Sequence, residues 1–329
     1  MKTKQFITGI FSILIMSCFT LTFTGCNSDD DGDSDDPTTV TYRVAERVKT
    51  EISGSNIWEN KDIYSYMDNQ LAEVIELDKE NDIWVEDRKT EFEYDGDWVS
   101  STRYNKEGND WVYQDMQTLN QIKIVNGKIM EIKNTYMNYI YREIYTYSGD
   151  KLTIVEIFDD GELDEKYVCT YNGEMLDEII EYEYYNGIEE LDRKYEFTYA
   201  NGNLSEILRL SYVDGLWINS DLDKYIYSGG KLTQIDDYDY NEFNDIWEFD
   251  DSDYFSYNSQ GLLESISESG DGWSEEEIYT YEEGNGNYRL IDGDGAYDYV
   301  FNYPDAQRMS ENSSSAEDKK FNIKRFLLQ

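Results

Sequence analysis

Hydrophobic and polar residues alternate with a period of two along most of this chain. Residues 194–199, Lys-Tyr-Glu-Phe-Thr-Tyr, show the pattern, with an aromatic ring at every second position. Residues 181–184 and 237–240 alternate acids with tyrosines in the same way. This period is typical of a half-buried antiparallel strand, with aromatics on the packed face. It predicts that the acids, among them Glu178, Glu181 and Glu183, lie on a solvated face.

The alternation belongs to a repeat with a period of about 27 residues. Each copy contains an aromatic-x-aromatic step, turn formers such as Asn201-Gly202, and an apolar residue such as Leu204 five residues after the step. A second turn, such as Asn186-Gly187, ends each outgoing strand. The steps are Tyr64/Tyr66, Phe92/Tyr94, Tyr145/Tyr147, Cys169/Tyr171, Phe197/Tyr199, Tyr225/Tyr227, Phe255/Tyr257 and Tyr279/Tyr281, with Ile122/Ile124 as a degenerate copy.

This repeat predicts an all-β fold of repeated antiparallel hairpins over residues 40–303. Prolines, which cannot donate a hydrogen bond within a sheet, occur only at Pro37 and Pro304, on either side of the array. About eighteen strands are too many for a flat open sheet. We therefore expect a long twisted or curled meander, or a solenoid-like sheet. Residues 304–329 lose the pattern, and from Lys319 they are mostly basic and apolar. This tail is either a loose end or a capping strand.

The N-terminal residues indicate export. Residues 1–25 carry Lys2 and Lys4 before a long apolar run, which is the pattern of a signal peptide that is removed. Phe23-Thr24-Gly25-Cys26 resembles the lipobox of bacterial lipoproteins, although Phe23 replaces the usual Leu. The resemblance implies that Cys26 is lipidated, with acyl chains such as palmitate, and becomes the new N-terminus.

Residues 26–39 are acidic and are expected to form a disordered tether, because like charges with Gly and Ser bury nothing. Ser28, Asp29, Asp30 and Asp31 behind the lipid site resemble the export signal of Bacteroidota surface lipoproteins. The resemblance implies a lipid-anchored protein of the outer membrane that faces the cell exterior. A calcium-binding EF-hand would need a terminal Glu that this run lacks.

Composition excludes several classes of protein. The formal net charge of −43 disfavours nucleic acid as a partner, because phosphate backbones are repelled. The chain contains no His, so Ser–His and Cys–His catalysis and imidazole metal sites are excluded. After removal of Cys18 and lipidation of Cys26, only Cys169 remains, and no intrachain disulfide is expected.

The repeat resembles a known family in its Tyr-x-Tyr-(Ser/Asn)-Gly-x-x-Leu pattern. It is similar to the YD repeats of bacterial RHS proteins and to Tyr-rich hairpin repeats of Bacteroidota lipoproteins, and more distantly to MORN arrays. The naming Asp of the YD repeat follows Tyr94 but is replaced after the other second tyrosines. The resemblance therefore implies an architecture and a surface or shell role, not a specific activity.

Catalytic signals are weak. Paired carboxylates occur throughout so acidic a chain, and they do not by themselves identify a glycosidase, which needs two placed carboxyls in a cleft. No phosphate-binding loop and no dinucleotide-binding loop is present. Residues 292–298 contain Asp292, Asp294 and Asp298 and fit either a calcium site or, with more weight, ordinary turn chemistry. We expect no enzyme, no cofactor and no metal, with a glycoside hydrolase as the distant alternative.

Five tryptophans follow the second turn of their copies: Trp84, Trp111, Trp217, Trp247 and Trp273. Equivalent positions of a repeat line up, so these rings are expected to form a row on one side of the sheet. The favoured interpretation is that they lock successive hairpins together, and the alternative is a track on which sugar rings stack. The sequence thus favours a surface-anchored, non-catalytic structural or interaction module, whose partner is polysaccharide or another surface protein. The alternative is a carbohydrate-binding lipoprotein.

Overall fold

The computed structural model describes residues 42–67, 70–113, 119–126, 128–136, 139–270, 273–283, 287–291 and 299–303. None of these residues lies in a helix long and apolar enough to cross a membrane. The regular elements are the strands β1 (Tyr42–Ser53), β2 (Asn56–Met67), β3 (Gln70–Glu80), β4 (Ile83–Asp95), β5 (Trp98–Glu107), β6 (Asp110–Tyr113), β7 (Leu119–Val125), β8 (Lys128–Tyr136), β9 (Tyr139–Ser148), β10 (Lys151–Asp159), β11 (Glu162–Asn172), β12 (Met175–Tyr185), β13 (Ile188–Ala200), β14 (Asn203–Val213), β15 (Leu216–Ser228), β16 (Lys231–Asn241), β17 (Ile246–Tyr257), β18 (Leu263–Gly270), β19 (Trp273–Glu283), β20 (Asn287–Ile291) and β21 (Tyr299–Tyr303).

The predicted all-β fold of antiparallel hairpins is confirmed, and short turns join its strands. Between β13 and β14 the turn is Asn201-Gly202, with φ of 53° and 83°. Two successive positive φ values define the hairpin turn whose twist matches that of the flanking strands. Asn and Gly tolerate this conformation, and for this reason the sequence signal was specific.

The sheet closes on itself into a barrel, which corrects the expectation of a long twisted or curled meander, or a solenoid-like sheet: the array of hairpins returns to its first strand. β1 pairs with β2 on one side and with β19 on the other, where Tyr42 lies opposite Glu283 and Ser53 opposite Trp273. β6 and β7 both pair with β5 and share one place, so the barrel has 18 strand positions. Closure follows from the twist that accumulates over so many strands, and it gives β1 a partner on both sides. β20 and β21 form a separate two-stranded sheet.

The barrel has two ends that differ in composition. We call "core end" the end that contains the turns 96–97, 149–150, 173–174, 201–202 and 229–230, together with the start of β1 at Tyr42. We call "rim end" the opposite end, with the turns 54–55, 81–82, 108–109, 160–161, 186–187, 214–215 and 242–245. Every strand from β1 to β5 and from β8 to β19 runs between these two ends.

The hydrophobic core fills the interior near the core end. The first residue of each aromatic-x-aromatic step faces inward and is buried, as is the apolar residue after the turn. The buried set includes Tyr64, Phe92, Tyr145, Tyr167, Cys169, Phe197, Tyr225, Phe255 and Tyr279, with Leu71, Leu152, Leu176, Leu204 and Leu232. The repeat therefore encodes one layer of core per copy.

The second tyrosine of the step joins each copy to the one before it. The hydroxyl of Tyr281 donates to the carbonyl oxygen of Leu263 at 2.7 Å. Tyr94 donates to the carbonyl of Leu71 at 2.9 Å, and Tyr147 to that of Ile129 at 3.0 Å. The ring packs against the core while its hydroxyl satisfies a backbone acceptor, which explains why Tyr recurs where Phe would pack equally well.

The expectation that Glu181 lies on a solvated face is wrong. A register shift between Thr170 and Tyr171 places a bulge after Leu176, so that Leu176 and Ile179, three residues apart, both face inward. The alternation resumes from Ile179 in the shifted phase. Glu181 is therefore 0% exposed inside the barrel. Glu183 shares this inward phase, whereas Tyr182 points outward, with the Lys166 Nζ 5.1 Å from its ring centroid.

Candidate binding site: the inner acidic layer and the apolar rim

The inner face changes character from the core end to the rim end. On β12 the inward residues are Ile179 and Glu181, each 0% exposed, followed by Glu183 and Tyr185, which is 70% exposed. A similar succession of aliphatic and charged residues recurs on β3 and β16, which also run toward the rim end. Because alternate residues of a strand share a face, each copy contributes to the same layers.

The charged layer is mostly acidic. We call "inner acidic layer" the inward ionisable residues that follow the aliphatic core on β1, β3, β5, β10, β12, β14, β16 and β18. Its acids are Glu51, Glu76, Asp78, Glu80, Glu107, Asp159, Glu181, Glu183, Asp237, Asp239 and Glu268, and its bases are Arg47, Lys49, Arg103 and Arg209. The Arg103 Nη2 contacts both carboxylate oxygens of Glu76, at 2.9 and 3.1 Å. Carboxylates nevertheless outnumber the basic side chains of this layer.

Like charges also face each other between this layer and the neighbouring strand β15. Asp239 of β16 lies opposite Asp221 of β15, and Asp237 lies opposite Asp223. Burial, and then the charges of Asp250 and Asp221, raise the pKa of Asp239 above its ordinary value. Carboxylates directly opposite one another destabilise a sheet, and the Arg209 Nη1, 3.1 Å from the carboxylate of Asp221, offsets part of this repulsion.

Beyond the acidic layer, several hairpins end in inward residues that are apolar and exposed. We call them the "apolar rim": Trp58, Ile83, Val85, Val112, Tyr185, Ile188, Val213, Leu216 and Ile246. Ile188 is 63% exposed and Leu216 is 68% exposed. Each pairs across its hairpin with an inward residue, as Ile188 does with Tyr185 and Leu216 with Val213. Clustered exposed side chains of this size mark an interaction surface.

One acid of the interior has a strongly altered pKa. Glu143 of β9 is 0% exposed and accepts a hydrogen bond from the hydroxyl of Tyr145. Burial raises the pKa of Glu143 to about 8, and the charge of Glu165 acts in the same direction. Burial also holds the pKa of Tyr145 well above its usual range. A carboxyl that stays protonated near neutral pH is typical of catalytic acids, but this one has no surface on which to meet a substrate.

Three carboxylates are close enough to share a cation. Oxygens of Glu181, Glu183 and Asp192 lie within 4.8 Å of one another. Carboxylate oxygens are the ligands that Ca²⁺ prefers. However, the Nε of Arg193 lies 3.7 Å from Asp192, and this guanidinium already supplies positive charge to the cluster. The alternative calcium site at residues 292–298 lies outside the described residues.

Four of the five predicted tryptophans lie on the outer face near the rim end. Trp217 contacts Tyr212 with ring centroids 4.9 Å apart, and Trp247 contacts Tyr240 at 5.0 Å. Both ring pairs are tilted by 58°. Lysines cover the other two: Lys79 lies 5.7 Å from the centroid of Trp84, and Lys106 lies 4.2 Å from that of Trp111.

Trp273 does not join this row. It is the first residue of its strand and shares the inward phase of the buried Glu275 and Glu277. The other four are the second residues of theirs. A shift of one residue after the turn moves a side chain to the opposite face. The predicted lipid site Cys26 and export residues Ser28, Asp29, Asp30 and Asp31 lie outside the described residues.

The inner acidic layer and the rim were missed from the sequence, although a signal for them exists. An ionisable residue stands two positions after the second buried aliphatic in Leu71-x-x-Val74-x-Glu76, Leu176-x-x-Ile179-x-Glu181 and Leu232-x-x-Ile235-x-Asp237. An aliphatic residue directly after the second turn, as at Ile83, Ile188 and Leu216, marks the rim. Both signals require the bulge to be recognised first, because it reverses which residues face inward.

Comparison with known proteins identifies no family. No family model and no curated protein matches the chain. A crystal structure of a protein of unknown function from Bacteroides fragilis matches with a TM-score of 0.31 and 16% identity, over 34% of this chain and 89% of that one. A putative 6-phosphogluconolactonase from Bacteroides uniformis matches with a TM-score of 0.25 and 10% identity, over 62% of this chain and 95% of that one.

A third solved structure belongs to the RHS type to which the repeats were compared. TcdB2–TccC3 matches with a TM-score of 0.17 and 11% identity, over 71% of this chain and 15% of that one. Scores this low establish neither a common fold nor a common activity. Assignment of function therefore depends on the chain's own residues.

Proposed function

We propose that this protein is a non-catalytic interaction module, tethered by lipid at Cys26 to the outer surface of the cell, whose binding surface is the apolar rim. The observation that carries the proposal is the exposure of the rim. Large hydrophobic residues recur at equivalent positions of several copies and stay exposed there. They are not part of the buried core near the core end. Burial of such residues against a partner stabilises a complex at roughly 25 cal/mol per Å².

The position of the tether supports this orientation. β1 begins at Tyr42 at the core end, so the chain enters the barrel at the end opposite the rim. The acidic side chains of residues 26–39 are expected to be repelled by an anionic membrane surface. The rim is thus free to meet a partner away from the membrane.

The buried position of Glu143 supports a non-catalytic role. Glycosidases pair a carboxyl of raised pKa with a second carboxyl in a cleft that admits the sugar. Glu143 has the raised pKa, but it is fully enclosed by the core. Its protonation instead allows a carboxyl to be buried without a charge.

Site-specific photo-crosslinking in whole cells tests the proposal. A photoreactive phenylalanine replaces Ile188 on the rim, and the matched control replaces Met175, which is 44% exposed at the core end of the adjacent strand. We expect adducts of higher mass from position 188 and none from position 175. Equal yields at both positions, or no adduct at either, would contradict a binding surface at the rim.

Membrane fractionation tests the tether. Cys26→Ala is expected to release the protein from the membrane fraction, because lipid at this residue is the proposed anchor. Replacement of Ser28, Asp29, Asp30 and Asp31 by Ala should keep the protein in that fraction but hide it from protease added to whole cells. A Cys26→Ala protein that stays in the membrane fraction would disprove lipid anchoring at this site.

Carbohydrate binding is the second candidate, and the repeated Tyr–Trp pairs favour it. Two equivalent aromatic pairs stand one copy, that is two strands, apart on the outer face, and Asp245 accepts a hydrogen bond from Tyr240. Aromatic faces beside carboxylates suit hydroxylated ligands. A glycan array with the purified chain and its Trp217→Ala/Trp247→Ala variant tests this. Glycan binding that is lost in the variant, with unchanged melting temperature, would establish it; no bound glycan would exclude it.

A further inference from the structure

The C-terminal segment of this chain is basic and apolar, and this chemistry is complementary to that of the acidic and apolar rim end. Residues 319–328, Lys-Lys-Phe-Asn-Ile-Lys-Arg-Phe-Leu-Leu, contain four basic and five apolar residues and no acid. In a chain with 28 basic residues against 71 acidic ones, such a segment is exceptional. It lies outside the described residues.

The rim end offers the complementary surface. Exposed apolar side chains, among them Ile83, Ile188 and Leu216, surround it, and the inner acidic layer lies directly beneath them. A basic and apolar peptide can bury its rings and aliphatic chains against the rim while its Lys and Arg side chains reach the carboxylates. Neither a neutral nor an acidic peptide would gain both contributions.

The intervening chain is long enough. β21 ends at Tyr303, opposite Asn287, which follows the end of β19 at the core end by four residues. Residues 304–318 then span up to about 50 Å when extended. A barrel strand of 11 residues, such as β12, spans about 37 Å. The segment from Lys319 can therefore reach the rim of its own barrel.

We propose that residues 319–328 dock on the apolar rim of the same chain. The proposal rests on the rim being the binding surface assigned above, and it names the chemistry of the partner as a basic, apolar peptide. Tethering makes docking intramolecular, at an effective concentration on the order of millimolar, so that weak contacts suffice.

Disulfide trapping in the full chain tests the proposal. Ile323→Cys is combined with Leu216→Cys at the rim, and the matched control combines it with Met175→Cys, an exposed residue at the core end. Cys169 is buried, and burial raises the pKa of its thiol to about 12, so it does not compete. We expect the intramolecular disulfide to form at least about tenfold faster with position 216, because docking raises the local concentration of the tail there.

A charge-reversal variant of the tail provides a second test of the same proposal. Lys319→Glu, Lys320→Glu, Lys324→Glu and Arg325→Glu together should abolish the preference for position 216 over position 175, as should molar salt. Equal rates at both ends in the parent pair would overturn the proposal. Disulfides formed only between two chains would also overturn it, and would assign the rim to a second copy. Either result would show that the tail does not occupy the rim. Whether the rim binds a partner is tested separately, by the whole-cell crosslinking at Ile188.

Discussion

The core end and the rim end are built by the same strands but differ in what their side chains do. At the core end, Ile179 is 0% exposed and Tyr281 donates to a backbone carbonyl. Lysines join neighbouring turns there: the Lys128 Nζ donates to the carbonyl of Gly149 and lies 5.3 Å from the ring of Tyr147. At the rim end, on the hairpin that contains Ile179, Ile188 is 63% exposed.

This difference shows that stability and binding are separated along the strand axis, not between copies. Each copy supplies core residues to one end, and several copies supply exposed apolar residues to the other. Repetition then produces a core of equivalent layers and a recurrent apolar rim from one short pattern. Variants at the two ends of a single hairpin should therefore behave differently, and this makes the comparison testable.

The largest difference is expected between two isoleucines of one hairpin. Ile179→Ala removes a fully buried side chain and should lower the free energy of unfolding by about 2–5 kcal/mol. Ile188→Ala, on the opposite strand at the rim, should change it by less than about 0.5 kcal/mol. Urea unfolding followed by Trp fluorescence measures both. Similar losses would mean that the rim is part of the core.

The interior of the core end should also depend on pH through Glu143. Its pKa is about 8 in the folded protein and lies near the ordinary value of 4.5 in the unfolded chain. The folded state therefore binds more protons between these values, and stability falls as the pH rises through this window, by a few kcal/mol at about 1.4 kcal/mol per pKa unit.

Glu143→Gln removes this titration, and its unfolding free energy should lose the corresponding pH dependence. Repulsion among the remaining acids is common to both proteins and cancels in the difference between their urea-unfolding curves from about pH 5 to about pH 8.5. If that difference stays constant with pH, Glu143 is ionised in the folded protein and its assignment here is wrong.

A smaller effect is expected from the tyrosine hydroxyls. Tyr281→Phe leaves the carbonyl of Leu263 without its donor and should cost about 1 kcal/mol. Tyr185→Phe, at the rim, should cost nothing measurable because that side chain is 70% exposed. Thermal or urea unfolding compares the two. Equal effects would show that the hydroxyls do not join the copies.

Local features of the chain were predictable from the sequence. The hairpins follow from alternation and from turns such as Asn201-Gly202, because strand period and turn conformation depend on neighbouring residues. Closure could not be derived, since the pairing of β1 with β19 joins residues more than 200 positions apart in the chain. Nothing in a local pattern specifies such a contact.

The candidate site was harder to predict, for a reason visible in single residues. The bulge after Leu176 reverses the phase of β12, so Glu181 turns inward although its alternation with Tyr182 indicated the opposite. Trp273 leaves the row of tryptophans because it stands one residue closer to its turn than Trp217 does. A shift of one residue is invisible to periodicity but decides which face a side chain occupies.

The most direct test of the division between the two ends is the unfolding free energy of a variant with a polar rim. This variant carries Thr, a β-branched strand former, at one exposed rim position in each of four hairpins: Ile83→Thr, Ile188→Thr, Leu216→Thr and Ile246→Thr. Urea unfolding should give a free energy within about 1 kcal/mol of that of the parent chain, because none of these side chains is buried. A loss of several kcal/mol would contradict the account, since it would show that the rim holds the barrel together and is not a surface kept for binding.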